Sequence, residues 1–236
     1  MGAKDNTTIY LDLRNGLTGA CFDHLAIIVR SRKVEQALFE YLGLQAGYSR
    51  RAIGNTVTSM DTVVMHTPVA ESTAAGQLQI AFMSGNDGID TDGKKILSQI
   101  SEYFARRGNF FVQHIAIRVQ NIHTVVNAWS ALGVKFITSD EHGPHILLDQ
   151  DMGATFLQCF TYPVVEGSGT FLELKQITRP GETPLPTSKQ FRDRNVEGLW
   201  EHVDRLIKDD IIFKVNIFGE PDLEKSLTIR GIPFPA

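Results

Sequence analysis

The strongest constraint on this chain of 236 residues is an internal repeat. Residues 22–29 read Phe-Asp-His-Leu-Ala-Ile-Ile-Val and residues 112–119 read Val-Gln-His-Ile-Ala-Ile-Arg-Val, so that His24 and His114 lie 90 positions apart. A repeat of this kind means that one supersecondary unit occurs twice and that the two copies share one fold. The chain is therefore expected to contain two similar modules.

A helix is predicted after the first strand of each copy. Apolar residues recur there at i, i+3, i+4 and i+7, which is the pattern of a helix with one buried face. Gly43 and Gly133, again 90 positions apart, follow the two segments as left-handed caps. The buried faces are predicted to be Val34, Ala37, Leu38, Tyr41 and Leu42 in the first copy, and Ile122, Val125, Val126 and Trp129 in the second.

Strand-like runs separated by Gly, Pro, Asp and Ser follow each cap, so the predicted fold is α+β with two β-α-β-β-β modules. The module boundaries are predicted at 20–84 and 109–178, with a linker helix in 85–108 and a C-terminal extension with a further helix in 179–236. The predicted strands are Ala46–Arg50, Thr56–Met65 and Gln77–Met83 in the first copy, and Val134–Thr138, His145–Leu148, Ala154–Phe160 and Gly169–Ile177 in the second.

Charge and composition exclude several classes of function. The chain has 23 Lys and Arg against 27 Asp and Glu, a net charge of −4, and no block of like charge, so nucleic acid and anionic membranes are not expected partners. Its apolar runs are too short to span a membrane and its N-terminus is too polar for a signal peptide, so a cytoplasmic protein is expected. The two cysteines, Cys21 and Cys159, form no CxxC pair and indicate neither a disulfide framework nor a zinc ribbon.

Strand alternation directs three polar side chains to one predicted site. His24 shares a strand face with Ala26, and His114 shares one with Ala116. The opposite face carries Leu25, Ile27 and Val29 in the first copy and Ile115, Ile117 and Val119 in the second. Glu173 takes the matching place on the last strand of the second copy, and Gln79 takes it in the first. A single histidine on a strand is usually a hydrogen-bonded group, but two imidazoles and a carboxylate at repeat-related positions form the donor set of non-haem Fe(II) oxygenases. The residues alone therefore predict a metal site.

Five motifs in order resemble the vicinal oxygen chelate superfamily, and within it the metal-binding half of 4-hydroxyphenylpyruvate dioxygenase and hydroxymandelate synthase. The resemblance implies a half-open barrel around a metal and a lid helix over it. The motifs are Phe22-Asp-His24, Ser98-Gln-Ile-Ser-Glu-Tyr103, Phe111-Val-Gln-His114, Leu157-Gln-Cys-Phe160-Thr-Tyr-Pro163 and Phe171-Leu-Glu173-Leu-Lys-Gln176, with a lid-like segment at Phe191–Trp200.

The resemblance also implies roles for individual residues. His24, His114 and Glu173 match the family's iron ligands, so the implied cofactor is Fe(II). Phe160 is a candidate to stack on an aromatic substrate ring. The other residues implied in substrate binding are Gln158, Gln99, Gln113, Phe171, Gln79, Asn195 and Val196.

The chain departs from the family pattern at the ring-binding end, where Gln79 and Ala81 stand for Pro and Asn and the lid segment has lost two glycines. The family's N-terminal half has no counterpart here, so the sequence is expected to represent the catalytic half alone and to form a homodimer. The leading hypothesis is an Fe(II) dioxygenase that decarboxylates and oxidises a 2-oxo acid with O2. Other divalent-metal enzymes of the superfamily (extradiol dioxygenases, isomerases and lyases) and a non-catalytic binding protein remain open alternatives.

Overall fold

The structure is a computed structural model that describes residues 16–68, 78–137, 139–140, 143–151, 154–178 and 195–232. Its strands are β1 (Cys21–Ile28), β2 (Gln45–Gly54), β3 (Ser59–His66), β4 (Gln79–Asn86), β5 (Gly88–Ile89), β6 (Lys95–Ile96), β7 (Phe111–Arg118), β8 (Ser139–Asp140), β9 (Gly143–Pro144), β10 (Leu147–Asp151), β11 (Ala154–Pro163) and β12 (Phe171–Thr178). Its helices are α1 (Arg32–Tyr41), α2 (Gln99–Arg107), α3 (Ile122–Ala131), α4 (Asn195–Lys208) and α5 (Leu223–Ile229), with a 3-10 turn at Ile211–Phe213.

Eight strands form one mixed sheet whose order reflects the repeat. The order is β10-β11-β12-β7-β1-β4-β3-β2, so the first strands of the two copies are the central neighbours and each is followed outward by its own three-strand meander. Strand β1 runs parallel to β4 with Ala26 opposite Ala81, whereas β3 pairs antiparallel with both β2 and β4. The α+β class with two β-α-β-β-β modules is confirmed, while the module boundaries stay a prediction.

The described chain divides into two compact units, each with its own apolar core. One unit comprises Asp23–Ala116 and Val196–Ile207, and the other comprises Ile117–Asn195 and Lys208–Ala236 together with the residues before Asp23. The core of the first contains Ile27, Val29, Val63, Met65, Ile80 and Phe82, and the core of the second contains Val119, Ile122, Val125, Val126, Phe136, Ile146, Leu157, Cys159 and Leu174.

The buried face of α3 is confirmed, since Ile122, Val125 and Val126 are buried and Trp129 packs against the same core. Helix α3 ends at Gly133, whose φ of 88° is the left-handed conformation that glycine adopts most easily.

The predicted buried face of α1 is wrong. Val34 is 65% exposed and Tyr41 is 88% exposed, while Arg32 and Glu35 are buried and Phe39 packs on the core. The repeat explains the error, because the positions 90 residues before the buried face of α3 are 32, 35, 36 and 39. The offset, rather than the apolar spacing within α1 alone, identifies the inward face.

A carboxylate on β3 partners the buried arginine of α1. The Arg32 Nε lies 3.5 Å from an oxygen of Asp61. Burial raises the pKa of Asp61, but hydrogen bonds from the Ala52 N–H and from Asn86, together with the charge of Arg32, outweigh burial and hold that pKa below its ordinary value. The polar inner face of α1 is therefore compensated in part by β3.

The segment after α3 differs from the predicted strand. Of the predicted strand Val134–Thr138, residue 138 lies outside the described residues, and the described part makes one isolated bridge, Phe136 with Thr161. The Lys135 N–H instead donates to the carbonyl of Ile217 in the C-terminal segment. Among the helices of the described ranges, none combines the length and apolar character needed to cross a membrane.

Candidate metal centre

The two repeated histidines face each other from the central strands β1 and β7. Their Nε2 atoms lie 3.3 Å apart and their rings meet edge to face at a centroid distance of 5.4 Å. Two nitrogens that bind one ion at about 2.1 Å, with an angle near 100° between them, lie about 3.2 Å apart. The separation of the two Nε2 atoms, which is also that of a hydrogen bond between the rings, is compatible with a shared metal ion.

Each imidazole is held through its other nitrogen by the residue that precedes it in the chain. The Nδ1 of His24 lies 2.8 Å from a carboxylate oxygen of Asp23, and the Nδ1 of His114 lies 3.1 Å from the amide oxygen of Gln113. Asp23 is 1% exposed and Gln113 is 5% exposed. An oxygen acceptor at Nδ1 fixes the ring tautomer that presents Nε2 as the ligand atom.

The carboxylate of Glu173 is placed by β12 and oriented by a neighbouring strand. Glu173 is 2% exposed, and its Oε1 accepts a hydrogen bond of 2.9 Å from the Nε2 of Gln158 on β11. Burial of a carboxylate is costly unless hydrogen bonds or a cation compensate it. Gln158 supplies one hydrogen bond, and a divalent cation would supply the larger compensation.

His24, His114 and Glu173 form a group in which one ligand atom from each residue lies within 4.8 Å of the other two. Atoms that bind one ion at about 2.1 Å lie at most about 4.2 Å apart, which is comparable to this limit. Two neutral imidazoles and one carboxylate suit a first-row divalent metal, and they leave coordination positions open for other ligands. The donor set therefore fits a divalent metal ion.

The aromatic residues predicted to contact substrate also lie on β11 and β12. Phe160 and Phe171 are buried and meet edge to face at 6.0 Å, and Phe160 is the register partner of Glu173. Of the predicted glutamines, Gln99 begins α2 and is buried, whereas Gln79 begins β4 and is half-buried. Their roles in substrate binding stay predictions.

The predicted lid residues belong to α4. Asn195 and Val196 are its first two residues, but their side chains and the preceding segment from Phe191 lie outside the described residues. Farther along this helix Trp200, Val203 and Leu206 are buried.

Sequence reasoning missed Asp23 and assigned Gln113 to the substrate. The signal was present, because both copies carry a polar residue immediately before the histidine, in Phe22-Asp-His24 and Val112-Gln-His114. Alternation alone places these residues on the opposite strand face. The structure shows that their side chains nevertheless reach the imidazoles.

No known protein-family model matches the sequence. Among solved structures, a triple mutant of 4-hydroxymandelate synthase from Streptomyces coelicolor is similar to this chain with a TM-score of 0.60 and 19% identity. The match covers 79% of this chain and 54% of the synthase, so the chain spans about half of that protein's length. This likeness shows a shared fold, and the vicinal oxygen chelate fold implied by the sequence motifs is confirmed.

Two further solved structures match this chain at lower TM-scores. A methylmalonyl-CoA epimerase from Streptomyces coelicolor, in complex with 2-nitronate-propionyl-CoA, has a TM-score of 0.45 and 16% identity over 66% of this chain and 95% of its own. A fusion of a xylose isomerase-like TIM barrel with 4-hydroxyphenylpyruvate dioxygenase has a TM-score of 0.44 and 14% identity over 70% of this chain and 27% of its own.

Proposed function

We propose that this chain, which has the vicinal oxygen chelate fold, is a non-haem Fe(II) dioxygenase that decarboxylates and oxidises a 2-oxo acid with O2. The proposed substrate is 4-hydroxyphenylpyruvate or a related arylpyruvate. The observation that carries the proposal is the group of His24, His114 and Glu173, whose ligand atoms lie within 4.8 Å of one another. Fold alone does not assign a reaction, so the donor set bears the weight of the argument.

Three protein ligands on one side of an iron ion leave room for both a chelating substrate and O2. A 2-oxo acid offers its carboxylate and its keto oxygen as a bidentate pair. Bound iron would supply the activation of O2, and the protein needs no separate general base for that step. The tasks left to the chain are to hold the ligands in place, to orient the substrate and to exclude water.

The residues around the ligands suit those tasks. Gln158 donates a hydrogen bond of 2.9 Å to Oε1 of Glu173 and so helps to orient that carboxylate. The buried pair Phe160 and Phe171 provides an apolar aromatic surface on the strands that carry Glu173 and Gln158. An arylpyruvate could stack its ring on Phe160, and such aromatic contacts contribute about 1 kcal/mol beyond the buried area.

The test is anaerobic reconstitution with Fe(II) followed by measurement of O2 uptake and CO2 release with a panel of arylpyruvates and aliphatic 2-oxo acids. We expect equal amounts of O2 consumed and CO2 released with an arylpyruvate. Glu173→Ala should abolish both, whereas Glu35→Gln, a change at a buried glutamate outside the metal-ligand group, should retain both. Stoichiometric zinc or nickel in the purified protein with no O2 uptake for any acid would refute the dioxygenase and favour an isomerase or lyase.

A further inference from the structure

We infer that Asp23 and Gln113 are positioning residues of the metal centre and that they make its two histidines unequal as ligands. The inference rests on the metal site of the proposed function and not on its reaction. It concerns residues of one compact unit, Asp23–Ala116.

The two residues occupy equivalent places in the repeat. Each immediately precedes a proposed ligand, each is at least nine-tenths buried, and each places an oxygen at the Nδ1 of the following imidazole, at 2.8 Å for Asp23 and 3.1 Å for Gln113. The repetition of one contact at both histidines indicates a common role, which is to present both Nε2 atoms to the same ion.

The two acceptors differ in charge, and this difference has a chemical consequence. A carboxylate that accepts from Nδ1–H pushes electron density into the ring and strengthens Nε2 as a donor, and a neutral amide does so less. His24 should therefore be the stronger of the two imidazole ligands.

This contact also changes the interpretation of Gln113. The family resemblance implied a substrate-binding role, whereas its amide oxygen lies at the Nδ1 of His114. Substitution of Gln113 should therefore change the affinity for the metal ion and its absorption spectrum before any substrate is added.

The test uses Co(II) alone as the probe, with affinity measured by calorimetry and coordination followed by visible absorption. The variants are Asp23→Asn, Gln113→Glu and the exchange of both. Asp23→Asn keeps an oxygen acceptor at Nδ1 and removes its charge. Because substitution of an outer partner typically weakens metal binding about 10- to 100-fold, we expect a loss of about 10-fold in Asp23→Asn. Gln113→Glu should bind more tightly than the wild type, and the exchange should restore most of the affinity while changing the absorption spectrum.

Asp61→Asn is the matched control, since Asp61 is a hydrogen-bonded, partly buried carboxylate of the same unit outside the ligand group. It should leave Co(II) affinity and spectrum unchanged. If folded Asp23→Asn or folded Gln113→Glu has the affinity and spectrum of the wild type, the inference is overturned. A wild-type protein that binds no Co(II) would instead refute the metal site of the proposed function.

A different observation, the exposed apolar stripe of α1, carries a second proposal: this stripe is the contact between two copies of the chain. The stripe consists of Val34, Leu38, Tyr41 and Leu42, which are 65%, 51%, 88% and 62% exposed. It presents roughly 500 Å² of surface, which is at the upper end of the largest apolar patch on typical monomers. A patch of this size is often functional.

A different face of α1 packs on the core, so the stripe is not part of the core. In the repeat, Arg32 and Glu35 correspond to the core residues Ile122 and Val125 of α3, and all four are buried. Phe39 completes the inner face of α1. The apolar residues of α1 therefore lie on a face that the described part of the chain does not bury.

Charge placement favours a second copy as the occupant. Lys33 and Glu40 are exposed, lie seven positions apart and flank the same side of the stripe. Two antiparallel α1 helices around a twofold axis would bring Lys33 opposite Glu40 of the partner subunit, and would do so twice. A parallel pair would not create this match.

The neighbouring edge strand β2 does not suit strand-to-strand pairing. Its pairing with β3 is interrupted by two register shifts, and it carries Arg50 and Arg51, which are features that protect sheet edges. Two α1 stripes would bury roughly 1,000 Å², which is the lower end of specific interfaces, so the dimer should be reversible at micromolar concentration.

Sedimentation velocity between about 1 and 100 µM tests this second proposal, and we expect a concentration-dependent dimer. Leu38→Glu and Lys33→Glu should each shift the equilibrium to monomer, and Lys33→Glu with Glu40→Lys should restore the dimer. Ile229→Glu, a change at a 73% exposed residue of α5, is the control and should leave it intact. A wild-type monomer throughout this range, or a dimer that Leu38→Glu does not weaken, would overturn the proposal.

Discussion

Glu173→Gln separates the proposed metal-binding role of Glu173 from its structural role, because it removes the charge and keeps the shape. Glu173 is 2% exposed, and its Oε1 accepts from the Nε2 of Gln158 at 2.9 Å. The amide oxygen of a glutamine can accept the same hydrogen bond. The metal-free variant should therefore remain folded, which its thermal unfolding curve checks.

The effect of metal on stability sets the size of the expected difference. An ion present at 100 times its Kd stabilises the folded protein by about 2.7 kcal/mol. For a chain of this length 1 kcal/mol raises Tm by about 2–4 °C, so the wild type should gain roughly 5–10 °C. Loss of the only charged ligand of the proposed set should weaken binding at least ~100-fold, which leaves about 0.4 kcal/mol at the same ion concentration and a gain of about 1 °C.

The assay is thermal unfolding with and without Co(II) at one fixed concentration, measured for the wild type, Glu173→Gln and Glu35→Gln. Glu35 is a buried glutamate of α1 outside the ligand group, so Glu35→Gln should keep the metal-induced rise of the wild type. An equal rise in Glu173→Gln and the wild type would refute the assignment of Glu173 as a ligand.

Three further outcomes are expected. Ile122→Ala should lower the free energy of unfolding by about 2–5 kcal/mol because Ile122 is fully buried, whereas Leu38→Ala should cost less than about 1 kcal/mol, and urea unfolding that ranks the two the other way would contradict the orientation of α1. The pKa of Asp61 lies below its ordinary value, so the ionised carboxylate stabilises the fold above about pH 4, and this stabilisation is lost as the pH falls through the folded-state pKa. Asp61→Asn should therefore be less stable than the wild type at about pH 7. Acid unfolding curves should show that this difference shrinks below about pH 4. Phe160→Ala should lower kcat/KM for an arylpyruvate by roughly 10-fold and leave Co(II) affinity unchanged, and a loss of Co(II) affinity instead would contradict a substrate-stacking role.

The repeat made most of the fold predictable. Two histidines 90 positions apart identified β1 and β7, and the two caps Gly43 and Gly133 identified the ends of the helical segments. Alternation along β12 then indicated which side Glu173 faces, and the structure brings its carboxylate near both imidazoles. The spacing of apolar residues helps to identify these elements because strand, helix and cap follow in the same order in both copies.

The remaining features depend on tertiary contacts that periodicity does not encode. Val34 and Leu38 have the spacing of a core face, yet α1 buries Arg32, since Asp61 on β3 offers a partner for that guanidinium. Asp23 was missed because strand alternation assigns a residue to a face and does not show how far its side chain reaches. The contact of Asp23 with His24 depends on the side-chain conformations of both residues.

Anomalous diffraction from crystals loaded anaerobically with Fe(II) would locate the metal. We expect one anomalous peak within about 2.0–2.3 Å of the Nε2 atoms of His24 and His114 and of a carboxylate oxygen of Glu173. Asp23 should remain hydrogen-bonded to His24 and should not ligate the ion. A fully occupied iron peak elsewhere, with none at these three residues, would contradict the account.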